Sequence, residues 1–398
     1  MSGDPRASGG RAAARPRASL ATVLKEWGRI GCVGFGGPPA HIALLRKLCV
    51  EDREWLDAQE FEDAITACNL LPGPASTQLA IFCAWRVRGR AGALVGGTAF
   101  IVPGLVIILA LAMLFLRDDP PTWVKAAGAG AGAAVAAVAV QAGVSLIPAG
   151  WRRAPQHSNR TRWTLYLTAG TVAAATIGPW LVLLLIACGV AEIIGQRVPS
   201  RPRRHPKPAL PLLAAAGAGG GVLLSIAWVA IKVGALSYGG GFVIIPLMRA
   251  DAVDHYHWMT GAQFLNAVAL GQITPGPVVQ TVAVVGYAAA GITGGLLASA
   301  VAFSPSFAFI LLGAHRFDRL RGNHTVRAFL DGAGPAAIGA ILGSAVPLAL
   351  TLTQAWQWCI LAGAVPLMLV LRRGPVLTLL TAATAGVLIV LAGATLPQ

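Results

Sequence analysis

Apolar residues run through this chain in long stretches separated by short polar ones, and twelve such stretches follow one another between residues 20 and 396. In the first half they lie near 20–45, 60–85, 91–116, 125–149, 163–177 and 179–196. In the second half they lie near 222–248, 263–290, 293–314, 327–350, 355–371 and 375–396. Stretches of this length predict helices that span or enter a bilayer. The expected fold is therefore an all-α polytopic membrane protein with about 10–12 membrane segments. Four of the stretches are interrupted. Segment one of each half carries a glycine-rich break, "GFGGPPAH" (34–41) and "SYGGGFVI" (237–244). Segment two carries a Pro-Gly-Pro break, "LLPGPASTQ" (70–78) and "ITPGPVVQT" (273–281).

The breaks recur at a fixed separation. Pro72 and Pro275 are 203 residues apart, and the same offset places Trp55 on Trp258, Phe61 on Phe264, Arg46 on Arg249 and Gly31 on Gly234. Gly36-Gly37 falls on Gly239-Gly240 without a gap. The chain thus divides into a basic tail (1–19, expected to be disordered), a first repeat (20–196), a basic Pro-rich linker (197–210) and a second repeat (211–398). Glycine loosens a helix, and proline removes an amide donor and clashes with the preceding turn. In lipid such breaks are tolerated only where protein or a water-filled cavity receives the freed backbone groups. The four breaks should therefore converge on an internal site, the pattern of a secondary transporter.

Charge bears on orientation. If every segment of the first half crosses and the tail is inside, the basic stretches 86–90, 152–162 and 197–207 all fall inside, as basic loops prefer. The same count sends 315–327 and Arg372-Arg373 outside. Both return inside if the glycine-broken segment 222–248 is a re-entrant hairpin, which makes the repeats inverted. Strict symmetry would then make 20–45 a hairpin too and send the Arg-rich tail outside, a conflict that the sequence leaves standing.

Composition removes other function classes. The chain is 56% hydrophobic and only 12% charged, against about 25% for soluble domains, so its net charge of +15 reads as membrane-flanking basic loops rather than a nucleic-acid surface. Six cysteines form no CxxC pair, and the few histidines match no ligand spacing, so no metal site and no cofactor are expected. An integral-membrane enzyme would need clustered carboxylates or a nucleophile with its base, and none stands at membrane depth.

The motif "GFGGPPAH" followed by "REWLDAQEFEDAITACNLLPGPASTQ", with a second "GGG…ITPGPV" module, resembles the chromate ion transporter family in its long two-domain form. The resemblance covers roughly residues 22–395. It implies a multi-pass carrier of the bacterial inner membrane that exports chromate by alternating access, confers resistance, and exchanges chromate for protons. A carrier of the same architecture for sulfate or another anion is the alternative. Chromate or a related oxyanion, the lipid bilayer and a second copy in a homodimer are the partners expected.

Chromate is a tetrahedral dianion, and a helix start offers unpaired amides and a positive dipole end to such a group. After Pro72, Gly73 and Pro74 a new helix should present the amides of Ala75, Ser76 and Thr77, the two hydroxyls and the amide of Gln78. The second copy, Pro275, Gly276 and Pro277, is flanked by Thr274 and Gln280 and is less polar. Phe35, Gly36, Gly37 and Pro38, with Tyr238, Gly239, Gly240 and Gly241, should bring backbone close to the same cavity. Asn69 and Gln272, matched amides before each Pro-Gly-Pro, are candidate ligands or gate residues. His41 could add positive charge or carry a coupling proton. Glu62 and Asp63, standing where Leu265 and Asn266 stand in the second repeat, are the other candidates for proton coupling.

Overall fold

The computed structural model describes residues 18–69, 71–152, 157–176, 181–196, 221–237, 244–313 and 323–397, and every regular element among them is helical. The first half comprises α1 (Leu20–Val33), α2 (Pro38–Arg46), α3 (Ala58–Cys68), α4 (Ala75–Phe115), α5 (Thr122–Arg152), α6 (His157–Thr176) and α7 (Leu181–Gly195). The second comprises α8 (Val222–Leu236), α9 (Ile244–Arg249), α10 (Gly261–Ile273), α11 (Thr281–Gly313), α12 (His324–Leu350), α13 (Ala355–Leu369) and α14 (Pro375–Leu391). Each helix has its counterpart seven places on. Starts are written locally: the Ser19 hydroxyl accepts from the Thr22 amide, the Asp57 carboxylate accepts from the Glu60 amide, and Thr260 and Gln263 cap each other reciprocally.

Among the described residues four helices are long and apolar enough to cross a membrane, but two of them double back. In α4 the backbone leaves helical geometry at Arg88 and Gly89, the latter at φ 64°, and in α11 it does so at Ala290 and Gly291, at φ 61°. A straight helix would set residues eight apart at roughly 12 Å. Instead Gly92 packs on the Ala84 carbonyl and Gly97 on Ile81, so residues 75–87 and 90–115 form a hairpin. Gly294 against Gly286 makes the matching hairpin in α11.

The long second arms of α4 and α11 cross in antiparallel fashion, with Gly97 on Phe307 and Gly295 on Leu109. Ile101 and Phe303 lie between these contacts and are 202 residues apart, as are the bends Gly89 and Gly291, so the two-fold relating the halves runs through the middle of both arms. α5 and α12 are likewise antiparallel, Gly143 meeting Leu342 and Gly150 meeting Ile338. The repeats are inverted. Each half also lends its fifth helix to the other: α12 is sheathed by α6 and α7, and α5 by α13 and α14. Small residues permit the close approach, as where Gly130 meets Ala382 and Gly386, and Gly332 meets Cys188.

The orientation conflict disappears on one point of geometry. Glu60, at the start of α3, is ion-paired with Arg86 beside the α4 turn, and Trp55 stacks on Trp27 at 6.0 Å. Both α1–α2 and α3 with the first arm of α4 therefore enter from one face and return to it. Of the six segments of the first half two turn back, and so do their counterparts, so the supposition that all six cross does not hold. The beginning of α1, the turn at 86–90, the ends of α5 and α7, the start of α12 and the 370–374 connection all lie on this basic face, as charge prefers. The opposite face carries the 116–121 and 351–354 connections and the start of α10. The connection 196–221, which lies outside the described residues except at its ends, begins on one face and ends on the other. Residues 1–17 also lie outside the described residues.

Candidate functional site

Three hairpin tips, and the described start of a fourth, meet at the middle of the long arms of α4 and α11. The first tip begins where α1 ends at Gly34; Gly36 and Gly37 follow at φ 95° and 73°, values that glycine adopts freely, and Pro38 opens α2. The second and fourth are the Pro-Gly-Pro turns, with Gly73 at φ 116° and Gly276 at φ 97°. The third begins at Ser237, which caps α8 with nearly the same backbone angles as Gly34. Its Tyr238, Gly239, Gly240 and Gly241 lie outside the described residues.

Contacts tie the tips together across the halves. The Gly276 amide donates to the Gly34 carbonyl at 3.0 Å, and Gly37 lies against Val278. Gly73 lies under the Gly234 carbonyl and the Ser306 hydroxyl, while Gly104 takes the matching place against Pro275. Gln78 donates to the Pro72 carbonyl at 2.7 Å, and Gln280 reaches across to the Ile101 carbonyl at 2.6 Å. His41 is fully buried. Its Nε2 donates to the Gly34 carbonyl at 2.9 Å, so in the neutral ring Nδ1 accepts from the Ser76 hydroxyl at 3.3 Å. Phe100 holds the ring edge-on at 5.0 Å.

What distinguishes the place is unmet bonding capacity. Eight buried side-chain polar atoms lack a partner among the described residues, and six of them are here: Thr77 Oγ1, Gln78 Oε1, Ser237 Oγ, Gln272 Nε2, Gln280 Oε1 and Ser306 Oγ. Each such group costs about 1–3 kcal/mol when buried unsatisfied, so six beside the breaks make this the candidate site for a polar occupant. The hydroxyls of Thr77, Ser237 and Ser306 and the amide of Gln272 can donate to it. Backbone adds less than the sequence suggests. The Thr77 and Gln78 amides both bond the Pro74 carbonyl at 3.0 Å, which leaves Ala75 and Ser76 as the free donors of the helix start. In the second half Pro277 opens a short 3-10 turn, Val278–Gln280, before α11, and Thr274 turns its hydroxyl back to the Leu270 carbonyl.

Several candidates sit elsewhere. The Phe35 side chain is exposed, and Asn69 is the half-buried cap of α3. Glu62 lies on the exposed side of α3 in an ion pair with Arg46, and Asp63 accepts from Gln59 at 3.0 Å. The charges nearest the hairpins gather at their bases, where Arg46 also meets Glu51, Arg249 meets Asp254, Arg53 meets Glu26 and Lys232 meets Asp251. Ser237 and Ser306 were not singled out from sequence. Ser237 could have been found as the offset partner of Gly34, and Ser306 as a hydroxyl beside Pro305 inside an otherwise apolar helix.

Comparison with known proteins agrees with the duplication. The profile of the chromate transporter family matches twice, over residues 21–193 and 224–387. The chain is 33% identical over 349 residues to the chromate transport protein of Cupriavidus metallidurans, covering 84% of each chain. It is 29% identical over 352 residues to the chromate transport protein of Pseudomonas aeruginosa, covering 84% of this chain and 82% of that one. Over 345 residues it is 28% identical to the probable chromate transport protein of Synechococcus elongatus, covering 84% of this chain and 85% of that one. No solved structure matches the chain significantly.

Proposed function

This chain belongs to the chromate transporter family, and we propose that it carries chromate out of the cell across the bacterial inner membrane, holding the anion among the four hairpin tips. The observation that carries the reading is the set of unpartnered donors at Thr77, Ser237, Gln272 and Ser306, beside the unpartnered amide oxygens of Gln78 and Gln280. A tetrahedral dianion needs several donors arriving from different directions. Hydroxyls and an amide from both halves, with the Ala75 and Ser76 amides at the positive end of the first arm of α4, offer that arrangement.

His41 tunes the same cradle. While the ring is neutral, its Nδ1 takes the Ser76 hydroxyl proton. When the ring gains a proton both nitrogens donate, so Ser76 turns its hydrogen away and becomes one more donor for the anion. A proton arriving at His41 thus adds charge and a hydrogen bond together. The inverted repeats support alternating access, each half in turn opening its hairpins toward its own face.

Sulfate shares the charge and shape of chromate, and a sulfate carrier is the second reading. Purified protein in vesicles loaded with chromate, with sulfate as competitor and an imposed pH difference, tests both. Saturable chromate flux that responds to the pH difference and is weakly inhibited by sulfate is expected. Flux of sulfate without flux of chromate would favour the second reading, and no protein-dependent flux of either would overturn both.

A further inference from the structure

The two halves do not hold the same conformation. α10 lies along α5 and α14, with Leu265 over Gly132 and the Asn266 amide pressed on Gly128. Its counterpart α3 has no comparable seat on α12 or α7; it packs mainly on α4 and leaves Glu62 and Thr66 exposed. Where symmetry would put α3 there is an apolar crevice of about 420 Å³. Leu330, Ala333 and Ala337 of α12 and Leu185 and Ile186 of α7 line it, and it reaches Pro72 at the second tip. α12 matches α5 at an offset of 202, pairing Val124 with Val326, Gly130 with Gly332 and Gly132 with Gly334. Leu330 therefore stands where Gly128 receives Asn266. The seat is filled on one face and vacant on the basic face.

Glu62 and Asp63 would enter that seat in place of Leu265 and Asn266. Asparagine is the neutral isostere of a protonated aspartic acid, and the half whose seat is filled carries the neutral residue. A charged carboxylate pressed on Leu330 and Phe329 would lose its water without gaining a donor, whereas a protonated one loses far less. Resting on the reading of a proton-coupled carrier, we infer that Asp63 is its coupling residue: α3 swings onto α12 and α7, closing the crevice to Pro72, when Asp63 has taken up a proton. Glu62, which pairs with Arg46 of α2 in this structure, must keep that partner or be neutral there as well.

Charged groups stand around both places. Around α3 stand Glu60 with Arg86 of α4, and Glu62 with Arg46 of α2. At the seat stand Asp331 and the exposed Arg327 of α12, and Glu192 of α7, which is held by Arg162 at 3.4 Å and Tyr166 at 3.0 Å.

Cross-linking tests this without using transport. The full-length protein carrying Thr66→Cys and Ala333→Cys is treated in vesicles with a short thiol-to-thiol linker, with the single variants as controls for the native cysteines. Cross-link yield should rise severalfold from mildly alkaline to mildly acidic pH, against the trend of thiol reactivity itself, which falls with the thiolate. Adding Asp63→Asn should make the yield high at both pH values. A yield that is absent throughout, or that rises with acid equally in the Asp63→Asn background, would overturn the inference while leaving chromate transport to its own assay.

Discussion

Gly73 and Gly276 occupy the same point of the repeat, at φ 116° and 97°, and are surrounded differently. Beyond Pro74 come Ala75, Ser76, Thr77 and Gln78, and beyond Pro277 come two valines before Gln280. A side chain added at Gly73 would lie 2.7 Å from Gln78 Nε2 and 3.3 Å from the Gly234 carbonyl, whereas at Gly276 nothing comes closer than 3.5 Å. The α3 helix leading to the first turn is polar and half exposed; the α10 helix leading to the second is buried along most of its length. Duplication supplied a symmetric frame in which backbone breaks meet, and divergence of side chains then made the two turns unlike, with a polar helix start after Pro74 and an apolar one after Pro277.

Breaking that comparison at the turns gives the largest expected effect. Gly73→Ala adds both backbone strain and a collision, so chromate flux should fall to background with the protein still present in the membrane. Gly276→Ala adds strain alone, of about 1–2 kcal/mol, and should lower flux roughly tenfold. Flux measured in vesicles at equal protein density checks the pair, and equal losses would remove the distinction between the halves.

Donors come next. Ser76→Ala with Thr77→Ala removes two hydroxyls, each worth about 1.5–3 kcal/mol toward a charged group, so the half-saturating chromate concentration should rise at least about tenfold. Val278→Ala with Val279→Ala, the corresponding change in the second half, should leave it within about twofold, since no hydrogen bond is lost. A concentration dependence that shifts equally in both variants would contradict the assignment of donors.

Smallest are the turns at the hairpin bends. A side chain at Gly89 or Gly291 meets nothing within 4 Å, so Gly89→Ala and Gly291→Ala introduce only the strain of positive φ, about 1–2 kcal/mol. A modest fall in melting temperature with unchanged half-saturation is expected for each. A change in substrate affinity would tie the bends to the site.

Much of this was legible in the chain. The 203-residue offset exposed the repeats, and the Gly and Pro clusters marked where helices stop, because those residues act on backbone geometry directly. Thr77, Gln78, Gln272 and Gln280 were visible as polar residues beside the breaks. Less legible was how the broken segments fold: residues 60–85 have the length of a crossing, and only the Glu60–Arg86 ion pair and the bend at Gly89 show that the chain turns back. Length alone does not separate one span from two half-spans. Ser237 and Ser306 stayed hidden because single hydroxyls in apolar helices usually bond their own backbone; their meaning depends on a neighbour from a distant part of the chain. The free amide expected at Thr77 was lost to the Pro74 carbonyl, a detail of the first helical turn that sequence does not fix.

The most direct measurement is the location of chromium, by anomalous scattering, in the protein loaded with chromate. The account predicts one chromium atom at the depth of Ile101 and Phe303, with oxygens in hydrogen-bonding reach of Thr77, Ser306 and Gln272. Chromium bound instead among Arg117, Lys125 and Gln263, in the polar pocket at the far end of α5, with the hairpin tips empty, would contradict it.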